Sequence, residues 1–191
     1  MRRLFTAALV LVAAAGCKPQ ETAQQPAAPA RGSREWQIQS ALAAAPASVT
    51  SGAAIMELAG AGMRSLRPGT NGWTCVADDT TAHHMGAICA DSTWMTWFAA
   101  WMGHKTPNIT RVGTAYMLAG SNDASNTNPF ATAPDSGKGW VVTGPHLMIV
   151  APGAHPYAGT PTEPTDKGPF VMFPNTPYAH LMVPAAAPHA M

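Results

Sequence analysis

The sequence predicts an α+β fold: a largely antiparallel β-sheet, one Trp-rich helix and long loops. Three observations carry the prediction. Short apolar runs bounded by Gly, Pro and Asn recur along the chain, and only residues 91–103 combine a strong helical period with start and stop signals. Strands and helices also fail to alternate in the way a parallel sheet with crossover helices requires.

The amino terminus is punctuated by charge, then apolarity, then a cysteine. Residues 1–16 read as a signal peptide, because Arg2 and Arg3 precede an apolar run, Leu4 to Ala15, that is too short to span a bilayer. Its end, "AAGC", resembles the lipobox of bacterial lipoproteins, with Ala14 where leucine is usual. That resemblance implies lipidation at Cys17, and Lys18 after it implies sorting to the outer membrane, on the periplasmic side. The alternative is an ordinary signal peptide in which Cys17 is incidental. Residues 17–34 then comprise the anchor cysteine and a Pro/Ala/Gln-rich flexible tether, and residues 35–191 form one globular domain.

Composition excludes some partners. Of 11 basic residues, Arg2 and Arg3 leave with the signal peptide, so 9 remain against 10 acidic, a net charge of −1 that offers no nucleic-acid footprint. With 47% hydrophobic residues and six tryptophans, the chain can build one sizeable core. No second apolar run of about twenty residues follows, so the expected membrane attachment is through lipid alone.

Along the domain, residues 35–45 suggest a short helix ended by Pro46. Strand-like runs follow at 53–58, 63–67 and 73–77, and the turn dipeptides within "PGTNG" (68–72) predict a hairpin through residues 63–77. Cys75 and Cys89, with thirteen residues between them in an exported chain, are expected to form a disulfide. After Cys89, Asp91 or Ser92 can cap a helix whose Trp94, Trp97, Phe98 and Trp101 fall at i, i+3, i+4 and i+7, with Gly103 as its stop. This aromatic stripe suits core packing; a stacking shelf for sugars or aromatic compounds is the functional alternative. Further strands are expected at 111–119, 140–150, 169–173 and 178–183. The intervening loops, 120–139 and 151–168, are long enough to rim a site. Within the first, "SNDASNTNP" (121–129) lacks EF-hand spacing and reads as Asx-type turns.

Candidate chemistry centres on two echoing stretches, "GPHLMIV" (144–150) and "YAHLMVP" (178–184). Alternate residues of a strand share a face, so His146 projects with Met148, and His180 with Met182. Were the two strands neighbours, two imidazoles and two thioethers could converge on a soft metal, copper(I) above all. His-x-Met also resembles a ligand pattern of periplasmic copper chaperones, over those three-residue elements only. His83, His84 and Met85 form a second candidate cluster of the same chemistry. Packing is the plainer account of both sets: methionine is an adaptable core filler, and each histidine can bond a backbone carbonyl from the core's edge.

Two other classes stay open. A hydrolase would draw its base from His146, His155 or His180, its orienting carboxylate from Asp78, Asp79, Asp123 or Asp166, and its nucleophile from Ser121 or Ser125. Neither G-x-S-x-G nor H-E-x-x-H occurs, so catalytic residues are unassigned. An envelope interaction protein with no small ligand would use the loops or tryptophans instead. The stretches "LRPGTNGWTC", "DSTWMTWFAAWM", "YMLAGSNDASNTNPF", "GPHLMIVAP" and "PNTPYAHLMVP" together resemble a family of uncharacterised bacterial secreted proteins and lipoproteins. That resemblance spans about Ser48 to Pro184 and implies one exported domain; it carries no activity, cofactor or catalytic residue.

Overall fold

The computed structural model describes residues 27–60, 62–80 and 85–185. In chain order the elements are α1 (Arg34–Ala43), α2 (Ala47–Thr50), β1 (Ala54–Ala59), β2 (Gly62–Arg67), β3 (Thr74–Val76), β4 (Ile88–Ala90), α3 (Ser92–Met102), β5 (Gly113–Met117), β6 (Ser121–Asp123), β7 (Val141–Thr143), β8 (His146–Val150), β9 (Phe170–Met172) and β10 (His180–Pro184). Eight strands make one sheet in the order β2-β1-β3-β4-β5-β8-β10-β9, and β6 and β7 pair as a separate ribbon. Every pairing is antiparallel except β1 with β3. The fold is therefore α+β, with a mostly antiparallel sheet and a Trp-rich helix, as the apolar runs predict.

Alternation of side chains gives the sheet two buried faces. On one, Ile55, Cys75 and Cys89 pack with Ala41 and Ala44 at the end of α1. On the other, Val76, Ile88, Ala115, Met148, Val150 and Met182 pack against Trp94, Trp97 and Phe98 of α3. Burying each of these rings is worth on the order of 3 kcal/mol, which makes α3 the main lid of the larger core. Cys75 and Cys89 face each other across β3 and β4 and form the expected disulfide.

Local signals explain both long helices. Ser33 caps α1 by accepting from the Trp36 N–H at 3.1 Å, and Arg31 lies over the Trp36 ring, so the domain's contacts begin a few residues before Glu35. Asp91 caps α3 more firmly. Its Oδ1 accepts from the N–H groups of Thr93 (2.9 Å) and Trp94 (2.8 Å), and its Oδ2 from the Thr114 N–H (2.7 Å), so one carboxylate starts the helix and ties it to β5.

The predicted hairpin through 63–77 does not form. β2 pairs with β1 and β3 also pairs with β1, so β1 lies between the two strands expected to be partners. "PGTNG" is a crossing, not a tight turn: Thr70 N–H donates to Gly52 O at 2.8 Å, and a Cβ on Gly69 would sit 2.1 Å from Ala54 N. Only glycine lets that loop pass so close to the β1 backbone. The predicted strand 140–150 also divides. Val141–Thr143 pair with β6, and after Gly144 and Pro145 the chain enters the main sheet at His146. Among the described residues no helix is long and apolar enough to cross a membrane. The signal peptide and Cys17 lie outside the described residues, as do His83 and His84.

Candidate functional site

The two "HLM" strands are neighbours. β8 and β10 pair antiparallel with Met148 opposite Met182, and the register continues with Pro184 opposite His146. All four candidate side chains are buried on the α3 side of the sheet. The histidines nevertheless stand at opposite ends of the strand pair, because His180 precedes Met182 while His146 precedes Met148 on an antiparallel partner. Four ladder steps separate their backbone positions, roughly 13 Å along the strands at ~3.3 Å per residue. The register thus sets His146 and His180 at opposite ends of the pair, with Met148 and Met182 between them.

The flanking strands supply what lies beside each imidazole. Met117 of β5 is directly opposite His146, and Met172 of β9 is directly opposite His180. Three cross-strand pairs thus run diagonally over four strands: Met117–His146, Met148–Met182 and Met172–His180. All six side chains line one cavity of about 60 Å³, together with Trp94, Trp97, Phe98 and Trp101 of α3. A water molecule needs on the order of 10–15 Å³ by this kind of measure, so the space suits an ion or a few waters and excludes a drug-sized organic molecule.

Each imidazole is held in the same way. His146 Nδ1 lies 2.7 Å from Gly144 O, and His180 Nδ1 lies 3.0 Å from Tyr178 O. A carbonyl can only accept, so Nδ1 carries the proton in both rings and Nε2 carries the lone pair. This is the orientation in which a metal-ligating histidine is normally fixed by an outer hydrogen bond. His146 Nε2 is buried and has no hydrogen-bond partner among the described residues. His180 is enclosed by rings, T-shaped to Trp94 at 5.3 Å, Trp97 at 5.2 Å and Phe173 at 5.5 Å between centroids.

Burial keeps both rings neutral. It lowers His146 below the ordinary imidazole value, opposed by the Gly144 carbonyl. His180 falls to about 4, chiefly through burial, with the Tyr178 carbonyl opposing and the nearby His146 adding a further lowering. A third titratable group lines the cavity: Asp123, raised to about 6 by burial against the lowering effect of the Ser121 hydroxyl that donates to it at 3.0 Å.

Other expected site residues are scattered. Met85, from the second His/Met cluster, lines the cavity from the segment leading into β4. Ser121 is committed to Asp123, and Ser125 Oγ accepts from the N–H groups of Thr127 and Asn128, so 121–129 is built of turns of the Asx and Ser/Thr kind. His155 and Asp166 line separate surface grooves, and the Asp78 N–H donates to Ser40 Oγ beside α1. Among the described residues no group of three His, Cys, Asp or Glu side chains is placed to hold a metal ion, so a centre here depends on methionine sulfur. Met117 and Met172 escape a reading of the sequence, since only their cross-strand registers bring them beside the histidines.

Fold and site together define an α+β domain that encloses a His/Met cavity beneath a tryptophan helix. No protein family, curated protein or solved structure matches the chain.

Proposed function

We propose that this chain is an exported, lipid-anchored protein of the cell envelope, tethered through Cys17 on the periplasmic side of the outer membrane, that binds a soft metal ion, copper(I), in the His/Met cavity. The observation that carries the metal reading is the buried, unpartnered Nε2 of His146 beside a cavity lined mostly by thioethers and aromatic rings, with His180, Ser121 and Asp123 also on its wall. An unsatisfied buried acceptor costs about 1–3 kcal/mol, which a metal–nitrogen bond removes. Neutral imidazole and thioether are soft ligands that stabilise copper(I) without adding charge of their own. Binding centres on His146 with Met117, Met148 and Met182; His180 and Met172 form a similar pair at the far end of the diagonal.

The cavity volume favours this reading over a hydrolase built on His146 or His180, whose substrate would have to enter about 60 Å³. The unpartnered imidazole favours it over an interaction protein with no small ligand. Anaerobic titration of copper(I) against a chromophoric competitor tests it, with Met148→Leu and Met182→Leu as volume-conserving variants. The expected result is one tightly bound ion in the wild type and affinity at least tenfold weaker in each variant, the ~1.4 kcal/mol or more that a lost ligand commands. Indifference of the wild type to copper(I), or unchanged affinity in both variants, overturns the reading.

A further inference from the structure

The inner cavity backs onto an outer groove of about 470 Å³ beneath loop 120–139, and Met85, Trp101, Asp123 and Phe173 line both. These four side chains form the partition between them. Two are pinned: Trp101 Nε1–H donates to Pro129 O at 2.9 Å, and the Phe173 N–H donates to Asn126 O at 2.8 Å. Asp123 is steadied by the Ser121 hydroxyl. Met85 is half-buried, and its unbranched thioether chain turns about three bonds, so it is the member of the partition best able to move. The groove also carries Asp79 and Asp123 and, among the described residues that line it, no lysine or arginine.

Resting on the copper(I) reading, we propose that this groove is the route by which the ion reaches the cavity, and that Met85 and Asp123 form an outer transfer position at its floor. A carboxylate and a thioether that both line the groove and the cavity suit that step. The carboxylate attracts the incoming cation, and the thioether replaces the carrier's ligand before the sulfurs of Met117 and Met148 take over. Met85 thereby governs the rate of exchange and leaves the depth of the inner site alone.

Stopped-flow tryptophan fluorescence tests this, with copper(I) delivered as its acetonitrile complex under anaerobic conditions to the wild type, Met85→Leu and Asp123→Asn. Leucine keeps the volume and removes the sulfur. Met85→Leu should slow uptake and release together by about tenfold, and Asp123→Asn should slow uptake and weaken its salt dependence, as lost steering does. Unchanged rates in Met85→Leu overturn the route, as does an affinity that falls as far as the uptake rate, which would make Met85 a ligand of the inner site. A wild type that takes up no copper(I) overturns the underlying metal reading instead, and the two failures are thereby distinguished.

Discussion

Acidification should act on this fold through two buried groups of opposite sign. His180 has a folded value of about 4 against an ordinary 6.5, so between those limits the unfolded chain binds a proton that the native state refuses. Its contribution is fully present above pH 6.5 and is lost as pH falls to about 4; about 2.5 units at ~1.4 kcal/mol each is about 3 kcal/mol. His146 acts in the same direction. Asp123 opposes both. Its folded value of about 6 exceeds the ordinary 3.8, so from pH 6 downward the native state binds a proton that the unfolded chain does not, returning up to about 3 kcal/mol. The wild type should therefore lose little stability from this pair between pH 6.5 and 4. Asp123→Asn removes the opposing group: it should be more stable than the wild type at pH 7 and fall by about 3 kcal/mol as pH drops to 4. Guanidinium unfolding followed by tryptophan fluorescence at half-unit pH intervals measures both curves. Parallel curves for wild type and Asp123→Asn would refute the opposition, and the same steep slope in His180→Phe/Asp123→Asn would show that His180 is not its source.

Other consequences follow from single contacts. Asp91→Ala strips three N–H groups of their acceptor, so thermal unfolding should show a loss of about 2–3 kcal/mol, whereas Asp91→Asn should recover part of it. Gly113→Ala would place a Cβ 2.8 Å from Trp94 N and 2.9 Å from Thr93 Cβ, prising α3 from β5; denaturant titration should show a cost of roughly 1–3 kcal/mol, while Gly168→Ala, which meets nothing within 4 Å, should be near neutral. Replacing Cys75 and Cys89 together by alanine removes a bridge with a sequence separation of 14, which should lower stability by roughly 3 kcal/mol in calorimetry.

Much of the fold was legible because its signals are local. Asp91 and the 94/97/98/101 stripe lie within one helix length, so cap and buried face follow from the helical period alone. The shared faces of His146 with Met148 and of His180 with Met182 follow likewise from strand alternation, and the burial pattern bears them out. The hairpin through 63–77 misled because turn dipeptides report backbone bending but not the partner strand. Pro68–Gly72 bends the chain equally well over β1 as back along β2.

The sequence by itself determined which residues face together: the aromatic stripe and the two His-x-Met elements, set by periods of 3.6 and 2 acting over a few residues. Only the tertiary structure decided which faces meet. It set Met148 against Met182, parted His146 from His180 along an antiparallel pair, and brought Met117 and Met172 in from strands twenty-nine and eight residues away, each beside one histidine. Register is a property of the whole sheet, since moving one strand by one residue turns every side chain to the other face. The twin "HLM" stretches hold four of the six His and Met side chains, and the four-strand ladder beneath α3 gives all six a common cavity.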